Sequence, residues 1–204
     1  MSGSTTFIFF KPFGVLSQFT SEAGHRTLAE FGPFPKDVYP AGRLDLDSEG
    51  LLVLTSDKSL QHHLTDPKYG HSRTYWVQVD RIPDETALTK LRSGLIIEGK
   101  KTLPCLAHLL EDSPILPDRP VPIRMRKNIP TAWLEITLRE GRNRQVRKMT
   151  AAVGHPALRL VRVGIGTLLM GNMQPGEWRE LTAIEIQTML GNRQGSGGTG
   201  KLGD

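Results

Sequence analysis

The sequence contains a single cysteine, Cys105. An internal disulfide is therefore impossible, and so is a zinc site built on several thiolates. Long apolar runs are also missing. No segment approaches the roughly 18 consecutive apolar residues that a membrane-spanning helix needs. The first residues, Met1-Ser2-Gly3-Ser4-Thr5-Thr6, have neither a basic region nor an apolar core and are not read as a signal peptide. No internal repeat, phosphate loop or dinucleotide fingerprint is present. His62 and His63 are adjacent on a short helical stretch, where neighbours cannot share one face, so they are read as surface residues rather than a metal pair. These absences point to a soluble cytoplasmic protein with no membrane contact.

What remains is an ordinary globular composition in 204 residues, enough for one large domain or two small ones. The net charge is +5, but it is unevenly spread. Seven basic residues, Arg139, Arg142, Arg144, Arg147, Lys148, Arg159 and Arg162, fall within one short segment with Glu140 as the only acid. Arg119, Arg124, Arg126 and Lys127 form a second cluster. Clustered basic charge is the footprint of a polyanionic partner, although a solvated basic face has the same composition.

Periodicity predicts the elements. Phe7 to Phe10 reads as a short apolar strand, with Val15 to Ser17 as a possible continuation after a turn. Leu51 to Thr55 reads as a buried strand. Asp57 reads as the N-cap of a helix carrying Leu60 and Leu64. Arg73 to Val79 is rich in β-formers, with Tyr75, Val77 and Val79 on one face. A helix opens at Pro83-Asp84 and ends at Gly94. Thr131 to Arg139 alternates as a half-buried strand should, and Thr182 with Glu185 makes a capping-box pattern before the last helix. From Gly191 onward six of fourteen residues are glycine, so residues 191–204 are expected to be a disordered tail. Residues 1–6 are expected to be flexible, leaving 7–190 as one domain. Many strands and few helices in mixed order predict an α+β fold with a mixed, largely antiparallel central sheet flanked by helices.

Two stretches carry the chemistry. Gly42-Arg43-Leu44-Asp45-Leu46-Asp47-Ser48-Glu49-Gly50 places three carboxylates and one arginine between glycines, just before the buried strand. Such a loop can lift a catalytic carboxylate to a surface, or it can be charged only because it is solvated. In the second stretch, Gly141 to Val153 reads as a helix whose buried stripe is Val146, Met149, Thr150 and Val153. At about 100° per residue, Arg144 and Lys148 then lie nearly opposite that stripe, and Arg147 lies on its edge, able to enter a cleft.

Four collinear motifs carry a resemblance over nearly the whole chain. They are Lys11-Pro12-Phe13-Gly14-Val15-Leu16-Ser17, then Gly42 to Asp45 with Asp47 to Leu52, then Tyr75 with Val77 and Val79, and finally Glu140 to Met149. Together they resemble the ribosomal RNA pseudouridine synthases, in the branch that isomerises single uridines of bacterial rRNA. That branch holds the A-type enzyme of small-subunit rRNA with the B-, E- and F-type enzymes of large-subunit rRNA. Leu16 to Thr20, Tyr39 to Gly42 and Ile129 to Thr131 are most similar to the E-type, which acts on 23S rRNA. Many relatives carry a small RNA-binding domain ahead of the catalytic one, and none is expected here because the first strand begins at Phe7. Ser56 and Lys58 stand where asparagine and glycine are common in the family.

The resemblance implies the pseudouridine synthase fold, with an active-site cleft across the sheet, and isomerisation of a specific uridine. The C1′–N1 bond breaks and a C1′–C5 bond forms, without cofactor or metal. It implies Asp45 as the essential carboxylate, Tyr75 stacked on the target base, and Arg147 paired with Asp45. Arg43, Arg142, Arg144 and Lys148 are the candidate phosphate contacts. The implied partner is ribosomal RNA, free or in a large subunit under assembly, rather than DNA, and the enzyme is expected to be a monomer. Two alternatives stand beside this: a glycosidase-type hydrolase pairing Asp45 with Asp47 or Glu49, and an RNA-binding module without catalysis.

Overall fold

The computed structural model describes residues 4–123 and 129–191. Apart from Gly191 the expected tail lies outside these residues, as do Arg124, Arg126 and Lys127 of the second basic cluster. The strands are β1 (Thr6–Lys11), β2 (Tyr39–Pro40), β3 (Glu49–Thr55), β4 (Arg73–Asp80), β5 (Ile96–Ile97), β6 (Lys100–Lys101), β7 (Leu106–Leu109), β8 (Thr131–Leu138), β9 (Ala157–Ile165), β10 (Leu168–Leu169) and β11 (Trp178–Glu180). The helices are α1 (Lys58–Thr65), α2 (Glu85–Ser93), α3 (Gln145–Ala152) and α4 (Ala183–Met189). One nine-stranded sheet runs in the order β11-β1-β3-β9-β4-β8-β7, with β2 on β3 and β10 on β9. Its named strands pair antiparallel except for β3 and β9, which are parallel. The fold is the expected α+β fold with a mixed, largely antiparallel sheet.

That one parallel seam organises the two faces. Glu49 pairs with Val161 and Gly50 with Arg162. Because side chains alternate along a strand, Leu51, Val53, Val161 and Val163 share one face, packed with Leu60 and Leu64 of α1 and Met189 of α4. Leu52, Leu54 and Leu160 point to the other. There the apolar packing splits in two: Phe7, Phe9, Leu52 and Leu54 collect under Val15, Leu28 and Val38. Val77, Val79, Leu134, Ile136 and Leu160 collect under α2 and α3. A cleft opens beside the second cluster, lined by its Leu138, Val146 and Leu160 and by Arg162 of the parallel seam. Gly50 makes the seam possible. Its φ is +103°, and a Cβ there would sit 2.7 Å from the Arg162 nitrogen.

Local chemistry explains most boundaries. Asp57 accepts from the backbone N–H of Ser59 and Leu60 at 2.8 and 3.1 Å and starts α1. Thr182 and Glu185 cap α4 reciprocally. Three expectations shift. Val15 makes only an isolated bridge to Arg26, so Val15 to Ser17 is not a strand. Sheet pairing begins at Thr6, and the Thr5 N–H donates to Ser56 Oγ at 3.0 Å, so the ordered fold starts before Phe7. Helix α3 starts at Gln145 rather than near Gly141, because Arg144 is left-handed at φ +52°.

Candidate active site

The acidic loop is pinned from three sides. Ser17 is buried, and its hydroxyl both donates to the Leu44 carbonyl at 2.8 Å and accepts from the Leu44 N–H at 3.0 Å. The Gly14 N–H donates to the Leu46 carbonyl, and the Ser48 N–H to the Asp45 carbonyl. The backbone carrying Asp45 is therefore fixed before any ligand arrives. Ser17 was not singled out in the sequence as a site residue.

The three carboxylates, which only the resemblance separates in the sequence, go to three places. Asp45 lines the cleft, a cavity of about 640 Å³ shared with Tyr75, Arg43, Arg73, Arg142, Arg144 and Arg162. Asp47 lines a separate cavity with Phe13, Arg119 and Arg147. Glu49 is 2% exposed and on the opposite face of the sheet, in a two-pronged ion pair with Arg159 at 2.9 and 2.8 Å.

Tyr75 reaches the cleft through an irregularity in the ladder. Between Thr74 and Tyr75 the β4–β9 register slips, so Tyr75 faces Arg162 and Val163 is skipped. Bulges re-aim side chains in this way. Arg162 is only 3% exposed, and its Nε donates to the Leu51 carbonyl at 2.7 Å. Burial lowers its pKa below the ordinary arginine value, and the Tyr75 hydroxyl beside it opposes that shift. The sequence showed Arg162 only as part of a basic cluster. Its alternation with Leu160 on a seam strand was the available signal.

Arg147 does not pair with Asp45, contrary to the expectation. Its Nε lies 3.4 Å from the Asp47 carboxylate, and its Nη2 donates to the Asp47 carbonyl at 2.6 Å. The arginine nearest Asp45 is Arg144, at 3.7 Å, and Arg144 also holds Asp47 by two hydrogen bonds of 2.9 and 2.7 Å. The pairing with Asp45 was implied by the resemblance; the helical wheel placed Arg147 in a cleft correctly and misplaced only Arg144, which precedes the helix. A knot of side chains sets its position instead. Gln145 accepts from the Arg142 N–H at 2.9 Å and donates to Glu140, which also accepts from Arg142 Nε. Burial works to raise the pKa of Asp47. The Arg144 hydrogen bonds and the charges of Arg147 and Arg144 outweigh it and hold the carboxyl below its usual range.

Lys11 lies behind the same loop, fully buried. Its Nζ donates to the Val15 carbonyl at 2.6 Å and to that of Pro12 at 2.9 Å. Burial lowers its pKa to about 7, although Glu49, Asp47 and Asp45 all pull the other way. Of the candidate phosphate contacts, Arg43 is exposed, lines the cleft and has no ion-pair partner among the described residues. Arg142 is engaged with Glu140 and the carbonyls of Lys100 and Lys101, Arg144 with Asp47, and Lys148 with Glu98 at 2.7 Å.

The family model described as RNA pseudouridylate synthase matches residues 5–152. A protein of Vibrio parahaemolyticus named ribosomal large subunit pseudouridine synthase E is 54% identical over 174 residues, covering 85% of this chain and 72% of that one. A protein of the same name from Xanthomonas campestris pv. campestris is 54% identical over 171 residues, covering 83% and 91%. Among solved structures, one titled as a crystal structure of pseudouridylate synthase superposes with a TM-score of 0.77 at 28% identity, covering 93% of this chain and 75% of that one.

Proposed function

The chain belongs to the RNA pseudouridylate synthase family, and from that membership and the cleft we propose that it isomerises one specific uridine of large-subunit (23S) ribosomal RNA to pseudouridine. One observation supports the assignment of roles above the rest. Of the three loop carboxylates, Asp45 alone lines the cavity that also holds Tyr75 and five arginines. A cavity of about 640 Å³ falls within the usual range for small-ligand sites, ~300–1,000 Å³, and suits one extruded nucleoside.

In this reading the uridine leaves its stack, at a cost of about a few kcal/mol. Asp45 acts at the sugar while C1′–N1 breaks. The base turns and rejoins through C5, the C5 proton is lost and N1 gains one. Tyr75 packs on the base. Arg144 supplies the positive charge nearest Asp45, and Arg147 holds Asp47, two residues along the loop. Phosphate contacts from Arg43, Arg142, Arg144 and Lys148 offset the cost of extrusion.

The alternatives fit less well. A glycosidase pair needs two carboxylates facing one substrate, and Glu49 lies on the other face of the sheet while Asp47 lies in another cavity. A module that only bound RNA would gain nothing from an anionic Asp45 inside a ring of arginines.

The test is to map pseudouridines in rRNA by carbodiimide stops, in cells with and without this gene. One site should disappear on deletion and return with the wild-type gene. Asp45→Asn should fail to restore it, with the purified variant slowed by about a thousandfold or more while still folding and binding RNA. Restoration by Asp45→Asn would end the assignment.

A further inference from the structure

A second groove of about 630 Å³ adjoins the cleft. It is lined by Phe19, Tyr39, Lys58, Gln61 and His62, and it shares Ser17, Gly42, Arg43 and Thr65 with the cleft itself. Arg43 therefore borders both depressions. Tyr39 is 55% exposed although its backbone is fixed. It pairs with Thr55 as Pro40 pairs with Leu54, and Gln61 Nε2 donates to the Pro40 carbonyl at 3.0 Å. A single exposed aromatic is ordinary. A preorganised one beside two cations, in a groove that opens into a nucleoside-sized cavity, has the composition of a single-strand nucleic-acid site.

We propose that this groove binds the nucleotide next to the target uridine, its base stacked on Tyr39 and the linking phosphate on Arg43. The proposal rests on the cleft being the uridine site. When that uridine leaves its stack, each neighbour loses a stacking partner. An exposed ring in the adjoining groove restores one of those contacts. Arg43 borders both depressions, and a phosphate joining their occupants would have to pass it. Lys58, exposed at the far side, meets the next phosphate. Stacking tolerates any base, so the groove selects an unpaired, extrudable neighbour rather than a particular letter. The groove also touches the chemistry. Its wall residue Ser17 is the clamp on Leu44, one residue before Asp45.

The probe is a synthetic RNA hairpin carrying the uridine identified by deletion mapping, intact or with an abasic residue on its 5′ or 3′ side. kcat/KM is measured for wild type, Tyr39→Ala and Tyr39→Phe. Tyr39→Ala should lose about tenfold on the intact hairpin, the scale of one base–aromatic stack, and Tyr39→Phe should stay within about twofold. An abasic residue on one side should cost wild type about tenfold and Tyr39→Ala almost nothing more. Abasic penalties that are the same in wild type and Tyr39→Ala on both sides would overturn the groove alone. A wild-type protein that makes no pseudouridine in the intact hairpin, in 23S rRNA or in assembling large subunits from the deletion strain would overturn the cleft reading and the groove with it.

Discussion

Removing the Arg147 guanidinium strands three acceptors: the Asp47 carbonyl, one face of the Asp47 carboxylate and the Ala157 carbonyl. The Asp47 carbonyl accepts the shortest of these bonds and is part-buried, so leaving it without a donor costs toward the lower end of about 1–3 kcal/mol. The Asp47 carboxylate is about one-third exposed and keeps Arg144, so screening makes its share smaller. Arg147→Ala is therefore expected to lower stability by about 1–3 kcal/mol at pH 7 and to lower kcat, because Asp45 rides on the same loop. Asp47 adds a pH dependence. Its folded pKa is depressed, so its contribution is present above the unfolded value near ~4 and is lost as pH falls through the lower folded value. The difference between wild type and Arg147→Ala in urea melts should therefore shrink between pH 7 and pH 3. A constant difference would mean that the carbonyl bond accounts for all of it, and no difference at pH 7 would mean that Arg147 does not hold the loop.

The seam between β3 and β9 makes an equally sharp prediction for elements. Gly50→Ala introduces a Cβ against Arg162 backbone at a φ that side chains rarely adopt. Backbone strain and overpacking together suggest a loss of about 3 kcal/mol. The strands would also move apart where the acidic loop and Tyr75 face one another, so activity should fall in the fraction that still folds. Thermal melting with single-turnover assays would show both, and an unchanged melting temperature would refute the tight seam. This seam marks where the sequence stops being readable. Strands β4 and β8 were legible because their residues alternate, and α1 and α4 because Asp57 and Thr182 cap them locally. The parallel pairing of β3 with β9 joins residues 112 positions apart, Glu49 with Val161 and Gly50 with Arg162, and no local pattern encodes it. The burial of Arg162 and Glu49 consequently has no signal in the sequence. The resemblance pointed to Asp45 and Tyr75, which line one cavity, but it also implied Asp45 as the partner of Arg147, where the structure has Asp47; and a helical wheel extrapolates past the left-handed Arg144.

Across the whole molecule, the basic surplus sets how RNA binding responds to salt, but cations already paired contribute less than free ones. Each phosphate neutralised releases a counterion, so the slope of log K against log salt changes by about 0.7–0.9 per contact. Arg43 is exposed and has no ion-pair partner among the described residues, so it can give its full charge to a phosphate. Lys148 is held by Glu98 at 2.7 Å, and RNA must compete with that carboxylate before it gains the ammonium. The sequence treats the two as equals, and the pairing separates them. Arg43→Ala should therefore shallow the slope by about 0.7, and Lys148→Ala by clearly less. Glu98→Gln should free Lys148 and steepen the slope, and adding Lys148→Ala should abolish that gain. Titrations of a labelled rRNA hairpin at four or five salt concentrations would compare all four variants with wild type. Equal slopes for Arg43→Ala and Lys148→Ala, with Glu98→Gln like wild type, would mean that Glu98 lets go of Lys148 at no cost when RNA arrives.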